Sequence, residues 1–313
     1  MPVRWVQVAA GGLFTCALAS TGTLWCWGTN DTGELGDGTT TPHSLPNQVG
    51  AWDDWTQVTT GYFHACAIRK DNSLWCWGCS NSGMLGDETG MSQSSPTQVV
   101  GPSMGWSQVS AASFHTCAVR VDGTLWCWGD SDYGEVGDGS TNTYNAAPAQ
   151  ESTGAVNWTH VASSGSYYHT CALRMDDTLW CWGKNYSGQL GGGVSGWYHS
   201  SPQAVLMTDW AQVALGGDHT CAIKTDGTLW CWGDNERGQL GDGTYMDHAS
   251  PTQEMTGTKW AQVSGGVSHT CALRSDGTLW CWGDNEKGQL GDGQFGGPPA
   301  DGHVPRLLPP PAR

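Results

Sequence analysis

The stretch Leu24–Gly28, LWCWG, places two tryptophans around a cysteine, and the same five residues occur six times in this chain. The other copies lie at 74–78, 125–129, 179–183, 229–233 and 279–283. Each copy follows a short run of turn residues and precedes a glycine-rich loop. A motif that returns at a nearly fixed interval is the signature of a repeat architecture, so this stretch decides the fold.

The repeat organises nearly the whole chain of 313 residues. The first cysteine of each repeat is followed by the next after 50 to 54 residues, and these cysteines are Cys16, Cys66, Cys117, Cys171, Cys221 and Cys271. The repeats begin near residues 5, 55, 106, 158, 210 and 260. The spacing therefore predicts one domain over residues 1–313, which ends in a proline-rich tail at 309–313.

Each repeat contains four short segments that are typical of β-strands. A W-x-Q-V segment comes first, then T-C-A-L, then T-L-W-C-W-G, and finally a run such as Ser-Pro-Thr-Gln-Val at 95–99. Glycine-rich turns separate these segments, and no stretch shows a sustained 3.6-residue periodicity. The sequence therefore predicts an all-β fold without helix, a single β-propeller of six four-stranded blades.

The repeat also resembles a known family. The pattern G-x-x-H-T-C-A-L…D-G-T-L-W-C-W-G-x-N-x-x-G-Q-L-G-D-G is similar to the regulator of chromosome condensation repeat, and the match spans residue 5 to about residue 308. Members of this family typically have seven blades, whereas this chain has six repeats. We expect a closed ring of six blades, with a distorted or open ring as the alternative. The run Val304–Leu308 occupies the position of the last strand of repeat six.

Twelve cysteines form six pairs ten residues apart. Between the partners lies a three-residue turn whose last residue is Gly, Asn or Asp, the types that tolerate a left-handed backbone. Such a hairpin places the two cysteines opposite each other, within reach of a disulfide. We predict the disulfides Cys16–Cys26, Cys66–Cys76, Cys117–Cys127, Cys171–Cys181, Cys221–Cys231 and Cys271–Cys281. Buried free thiols are the alternative, and a zinc site the third interpretation. Six disulfides would imply an extracytoplasmic protein: secreted, periplasmic or on the cell surface.

The tryptophans and cysteines of LWCWG should point to opposite faces of the sheet, because side chains alternate along a strand. Both faces are then apolar, as a sheet packed on both sides requires. We expect the tryptophans of one blade to pack on the cysteine face of the next blade. Aromatic burial would then be the main cohesive contribution between blades.

Two further repeated residue types are candidates for chemistry. A histidine lies two residues before the first cysteine in five repeats (His64, His115, His169, His219, His269), but the first repeat has Phe14 there, which favours packing over a metal or proton site. An aspartate recurs in G-D-G or G-D-E loops (Asp37, Asp87, Asp138, Asp242, Asp292), often preceded by an asparagine earlier in the loop. Turn formation is the preferred interpretation of these acids, with calcium binding as the alternative. We predict no catalytic residue, no metal and no cofactor.

Function should lie where the repeats differ. Cys79 is the thirteenth cysteine, and we predict a free thiol or an intermolecular disulfide there. Aromatic residues in the variable loops are either covers for blade edges or anchors for a partner: Trp52, Tyr144, Trp197, Tyr198 and Phe295.

A formal net charge of −16 with only 13 Lys and Arg leaves no basic surface for nucleic acid or anionic membrane. No apolar stretch is long enough to span a bilayer, and no secretory signal is visible at the N-terminus, so a signal was removed or export uses another route. The sequence favours a non-enzymatic module that binds a protein or glycan, or assembles with itself. Alternatives are an inhibitor of a secreted enzyme, as in a similar β-lactamase-inhibiting propeller, and a propeller enzyme with an axial active site. The family's guanine-nucleotide exchange role is not expected, because the paired cysteines and the acidic charge argue against it.

Overall fold

A computed structural model describes residues 4–101, 105–165 and 168–296 of the chain. Within these ranges the protein consists of twenty-three β-strands joined by turns, and no helix is present. Among the described residues there is accordingly no helix of the length and hydrophobicity needed to cross a bilayer. The predicted all-β class is confirmed.

The strands form six antiparallel sheets, one for each repeat, and each sheet is a propeller blade. Blade 1 contains β1 (Trp5–Ala10), β2 (Phe14–Ala19), β3 (Leu24–Gly28) and β4 (His43–Gln48). Blade 2 contains β5 (Trp55–Thr60), β6 (His64–Arg69), β7 (Leu74–Gly78) and β8 (Gln93–Gln98). Blade 3 contains β9 (Trp106–Ala111), β10 (His115–Arg120), β11 (Leu125–Asp130) and β12 (Tyr144–Gln150).

The second half of the chain repeats this order. Blade 4 contains β13 (Trp158–Ser163), β14 (His169–Arg174), β15 (Leu179–Lys184) and β16 (Tyr198–Ala204). Blade 5 contains β17 (Trp210–Leu215), β18 (His219–Lys224), β19 (Leu229–Gly233) and β20 (His248–Gln253). Blade 6 contains β21 (Trp260–Gly265), β22 (His269–Arg274) and β23 (Leu279–Gly283). The run Val304–Leu308, predicted as its fourth strand, lies outside the described residues, as does the tail at 309–313.

Contacts between residues divide the chain into two compact units. Unit one comprises Met1–Thr170 and His199–Pro202, and unit two comprises Cys171–Tyr198 and Gln203–Arg313. Blades 1 to 3 belong to unit one, and blades 5 and 6 belong to unit two. The single domain over 1–313 and the closed ring stay predictions.

The predicted cysteine hairpin is present in every blade. The last residue of each turn is left-handed, with φ values between 59° and 85°: Gly22, Asn72, Gly123, Asp177, Gly227 and Gly277. This turn pairs Cys16 directly with Cys26, and the other described hairpins have the same register. All six predicted disulfides are formed, each with a Cα–Cα distance of 4.1 Å.

Each blade has two different apolar faces. The Trp face is the side that carries the tryptophan and valine of the first strand and the two tryptophans of LWCWG. The Cys face is the opposite side, which carries the disulfide and the leucine of LWCWG. In unit one, Trp55, Val58 and Trp77 from the Trp face of blade 2 share a buried cluster with Cys16 and Leu24 from the Cys face of blade 1. Equivalent clusters join blade 2 to blade 3 and blade 5 to blade 6. This is the predicted packing of tryptophan on the cysteine face.

The two tryptophans of LWCWG have different roles. The second is fully buried in blades 2 to 5, and in blade 2 the Nε1 of Trp77 donates to the carbonyl oxygen of Glu34 in blade 1 at 2.9 Å. The first is half-buried, and the Nε1 of Trp75 donates to the hydroxyl of Ser73 in its own hairpin at 2.9 Å. Only the second tryptophan therefore bonds across the joint between blades.

Polar bonds also fix the register of several joints between blades. The amide of Gln7 in blade 1 both donates to and accepts from the backbone of Val58 in blade 2, at 2.9 and 3.1 Å. The amide oxygen of Gln57 likewise accepts from the backbone N–H of Val109, and that of Gln212 from Val263. The glutamine of W-x-Q-V therefore links blade 1 to blade 2, blade 2 to blade 3 and blade 5 to blade 6, whereas repeat four has His160 at this position.

Candidate binding surface

The repeated histidines are structural links between blades. The Nε2 atoms of His64, His115 and His219 lie 2.8–2.9 Å from the hydroxyls of Thr116, Thr170 and Thr270 in the following blade. Because Thr116 donates its own proton to the carbonyl of Met84, it must accept a hydrogen bond from Nε2–H of His64. Burial lowers the pKa of all three of these histidines to about 3, so they are neutral at ordinary pH.

The repeated Asp and Asn residues organise the loops that follow β3 and its equivalents. In blade 1, the side-chain oxygen of Asn30 accepts from the backbone of Leu35, and its amide donates to two loop carbonyls. Asp37 accepts hydrogen bonds from Thr39 and Asn47. Asn235 and Asp242 make the same kind of bonds in blade 5. Within the described ranges, no group of three or more His, Cys, Asp or Glu has the geometry of a metal site.

Cys79 is free and buried, with 5% of its surface exposed. Its backbone N–H donates to the carbonyl of Phe63, which fixes it at the end of β7. Of the two predicted states, a free thiol agrees with this environment, whereas a disulfide to another chain would require the loop to open.

The five aromatic residues singled out in the variable loops are not brought together. No ring contact in the described part of the chain joins two of them. Trp52 packs on Trp55 and Trp75, and the guanidinium of Arg69 lies 4.4 Å from its ring, so Trp52 covers a blade edge. The exposed fractions of the other four are Tyr144 50%, Trp197 75%, Tyr198 41% and Phe295 81%. Their role as partner anchors stays a prediction.

A different set of aromatic side chains forms a continuous row in unit one, across blades 2 to 4. We call Tyr62, Phe63, Phe114, Tyr168 and Tyr133 the aromatic row. Ring centroids are 4.5 Å apart for Tyr62–Phe63, 5.7 Å for Phe63–Phe114, 5.8 Å for Phe114–Tyr168 and 5.0 Å for Tyr168–Tyr133. Tyr62 is 41% exposed and the other four are half-buried. The row is therefore a partly open apolar strip on one end of three blades.

In the sequence, the aromatic row can be recognised only when the six repeats are aligned and one position, here called the column, is compared among them. Three of its members immediately precede the repeated histidine, and the residues in this column are Leu13, Phe63, Phe114, Tyr168, Asp218 and Ser268. The column changes from apolar to polar after repeat four. A comparison of repeats position by position would have found this change, whereas attention to inserted loops misses it.

Acidic groups adjoin the row in blade 3. Burial raises the pKa of Glu135 to about 8, and the charge of nearby Asp130 contributes to the rise. The pKa of Asp130 is raised by burial, and that of Tyr168 is raised by burial and by the carboxylates of Asp130 and Glu135. Because Glu135 is protonated at neutral pH, the negative charge beside the aromatic row at that pH is the carboxylate of Asp130, which favours cations.

Blade 3 differs from the later blades at the position of this acid. Blades 4, 5 and 6 have glutamine where blade 3 has Glu135, and the amides donate to a neighbouring carboxylate: Gln189 to Asp218, Gln239 to Asp234 and Gln289 to Asp284, at 2.7–2.8 Å. In unit two, Asp218 also pairs with Lys184 at 3.0 Å. The corresponding position in unit two is thus occupied by a satisfied polar network and not by aromatic rings.

Comparisons with known proteins identify the fold family. The RCC1-like domain profile matches residues 1–309, and the chain belongs to this family. Yeast RCC1 (Prp20), in its complex with Kap60, has the same propeller fold, with a TM-score of 0.85 at 22% identity over 98% of this chain and 75% of that one. Human WBSCR16 superposes with a TM-score of 0.77 at 23% identity, over 87% of this chain and 72% of that one.

Curated relatives share shorter segments. The Arabidopsis thaliana ultraviolet-B receptor UVR8 is 30% identical over 195 residues, which is 61% of this chain and 44% of the receptor. The human probable E3 ubiquitin-protein ligase HERC6 is 34% identical over 113 residues, which is 35% of this chain and 11% of the ligase. The chain therefore spans less than half the length of these relatives.

Proposed function

We propose that this chain is a non-enzymatic, extracytoplasmic binding module whose aromatic row receives a basic segment of a protein partner. The family is a family of protein-binding propellers, and yeast Prp20 is a member with a structure in complex with Kap60 and studied binding to Gsp1p and histones. The observation that carries the proposal is the row itself, an apolar strip on blades 2 to 4 with the carboxylate of Asp130 close to Tyr168.

The chemistry of the strip favours arginine and lysine side chains as ligands. A cation over an aromatic ring gains about 0.5–2 kcal/mol, and a nearby carboxylate adds to this attraction. The protein already uses this contact internally, because the guanidinium groups of Arg174 and Arg274 lie 4.0 and 3.7 Å from the rings of Trp180 and Trp280. The net charge of −16 would also accelerate the approach of a basic partner.

The extracytoplasmic location is supported by the six disulfides, since such bonds persist in oxidising compartments. A glycan could use the same aromatic rings for stacking, so the test includes one.

Binding of a fluorescent arginine-rich peptide, measured by anisotropy, tests the proposal against a glutamate-rich peptide and a neutral oligosaccharide. We expect only the arginine-rich peptide to bind, with roughly tenfold weaker affinity after Tyr62→Ala, in line with the loss of one hot-spot aromatic. Tyr245→Ala removes a tyrosine of equal exposure, 41%, outside the row and is the matched control. Equal affinity for the two peptides, or equal loss in both variants, would refute the role of the row. Preference for the oligosaccharide would replace a protein partner with a glycan.

A further inference from the structure

The Trp face of blade 1 is more exposed than that of the other blades. In blades 2 to 6 the first-strand tryptophan and valine of this face are at most 4% exposed, but Trp5 is 43% exposed and Val8 is 67% exposed. The face is nevertheless assembled, because the rings of Trp5 and Trp27 lie 6.4 Å apart, close to the 6.2 Å of Trp55 and Trp77 in blade 2. Blade 1 therefore presents a preformed apolar surface to solvent.

The Cys face of blade 6 is uncovered in the same way. Leu279 is 43% exposed, whereas the equivalent leucine is 0% exposed in each of the other five blades. Cys271 is half-buried, while the other disulfide cysteines, all of which lie within the described ranges, are buried. Together, the chain carries one uncovered Trp face and one uncovered Cys face, the two surfaces that pair at its internal joints.

The polar groups of the two faces also match each other. At the joint of blades 5 and 6, Thr270 accepts from His219 and donates to the carbonyl of Gln239, and the Nε1 of Trp282 donates to the same carbonyl. The equivalent groups are Thr15 and Trp27 on blade 1 and His269 and the carbonyl of Gln289 on blade 6. Within ranges 4–101, 105–165 and 168–296, the side chains of Thr15, Trp27 and His269 make no hydrogen bond.

One joint shows that these pairs are matched. Blade 1 has Phe14 in place of the histidine, and blade 2 has Ala65 in place of the threonine that would face it; both residues lie in one buried cluster. Blade 1 retains Thr15, although its neighbour in the chain has lost the threonine. Thr15 would therefore pair with a histidine on the Cys face that packs against blade 1. His269 on the Cys face of blade 6 is such a histidine.

We infer that the Trp face of blade 1 docks on the Cys face of blade 6 of a second copy of this chain, in a head-to-tail contact. The contact reproduces an internal joint: Trp5, Val8 and Trp27 cover Leu279 and the disulfide of blade 6. His269 bonds to Thr15, and the amide of Gln262 bonds to the backbone of Val8, as Gln212 does to Val263. Because the two faces differ, an assembly of any length keeps one free Trp face at one end and one free Cys face at the other. Further copies can therefore add to it.

Sedimentation velocity over a wide concentration range tests this inference with charged variants of exposed positions. We expect the wild-type chain to form species larger than a dimer as its concentration rises. Val8→Arg and Leu279→Arg should each remain monomeric, since each blocks one face. An equimolar mixture of the two should form dimers and nothing larger, because one intact face of each kind remains. Val121→Arg, at a 66% exposed hairpin residue in blade 3, is the control and should assemble like the wild type.

A second pair of variants distinguishes this joint from nonspecific association. His269→Phe or Thr15→Ala alone should weaken assembly roughly tenfold, the effect of losing one buried hydrogen bond. The double variant recreates the Phe14–Ala65 pair and should recover most of the affinity. A wild-type chain that stays monomeric at all concentrations overturns the inference, and so does a mixture that grows beyond dimers or a double variant weaker than both single ones.

Discussion

Replacement of Glu135 by glutamine should stabilise the protein at neutral pH. Glu135 is fully buried, and its burial raises its pKa to about 8, whereas an unfolded glutamate titrates near 4.5. The folded protein therefore holds a proton on this carboxyl at pH 7 that the unfolded chain releases. Glutamine carries the same shape without a titrating group, and blades 4 to 6 already have it as Gln189, Gln239 and Gln289.

The size of the effect follows from the shift in pKa. Between pH 4.5 and 8 the folded state binds more protons than the unfolded state, so the wild type loses about 1.4 kcal/mol per pH unit as pH rises. At pH 7 this amounts to about 3 kcal/mol, and at pH 8 or above to about 5 kcal/mol. Below pH 4.5 both states are protonated, and the difference between Glu135→Gln and the wild type should vanish.

Urea unfolding followed by tryptophan fluorescence at pH 4.5, 6 and 8 measures the gap between the two proteins. The reverse change, Gln189→Glu, is the matched control, because it puts a carboxyl into an equally buried position beside Asp218. This control should lose stability most at pH 8 and least at pH 4.5. A gap between Glu135→Gln and wild type that is the same at all three pH values would refute the reasoning, since packing alone does not depend on pH.

Three further predictions concern the joints and the cysteines. The pKa of His64, His115 and His219 is about 3 in the folded state, against 6.5 for an ordinary histidine. Their contribution to the free energy of unfolding is therefore fully present above pH 6.5 and is lost as the pH falls. At pH 5 each histidine lowers the free energy of unfolding by roughly 2 kcal/mol. Unfolding of the Glu135→Gln background at pH 7 and 5 should show this loss, and His64→Phe with Thr116→Ala should reduce the loss by roughly 2 kcal/mol, the contribution of one histidine; an unchanged loss would contradict the prediction. Limited reduction followed by alkylation and mass spectrometry should open Cys271–Cys281 first, because Cys271 is less buried than the other paired cysteines; simultaneous opening of all six would argue against the exposed Cys face. Thiol titration should find no reactive cysteine in the native protein and one, Cys79, after denaturation; a full set of free thiols would place the protein in a reducing compartment.

The sequence predicts the blade well because its repeated residues have local causes. The left-handed residue at Gly22 and its equivalents fixes the hairpin, and the hairpin fixes the pairing of Cys16 with Cys26. Strand alternation then assigns tryptophan and cysteine to opposite faces. The sequence does not separate the two tryptophans of LWCWG, because whether Trp75 or Trp77 bonds across the joint depends on the position of the neighbouring blade.

The candidate surface could not be predicted from the loops alone. The sequence leaves open whether Trp52 covers a blade edge or anchors a partner, and only the structure shows its contacts with Trp55, Trp75 and Arg69. The aromatic row joins residues about fifty positions apart, such as Phe63 and Phe114, that meet only when neighbouring blades pack. The abnormal pKa of Glu135 likewise depends on burial by the fold and not on its neighbours in the sequence.

The joint of blades 1 and 2 has Phe14 and Ala65 where other joints have histidine and threonine. This difference constrains how the number of repeats in such a chain can change in evolution. Recombination between repeats that removes the third repeat would place His64 opposite Thr170, a pairing of the kind already used elsewhere. Removal of the second repeat would instead place Phe14 opposite Thr116 and leave that hydroxyl without its histidine donor. Gain and loss of repeats should therefore be tolerated after the second blade and selected against before it.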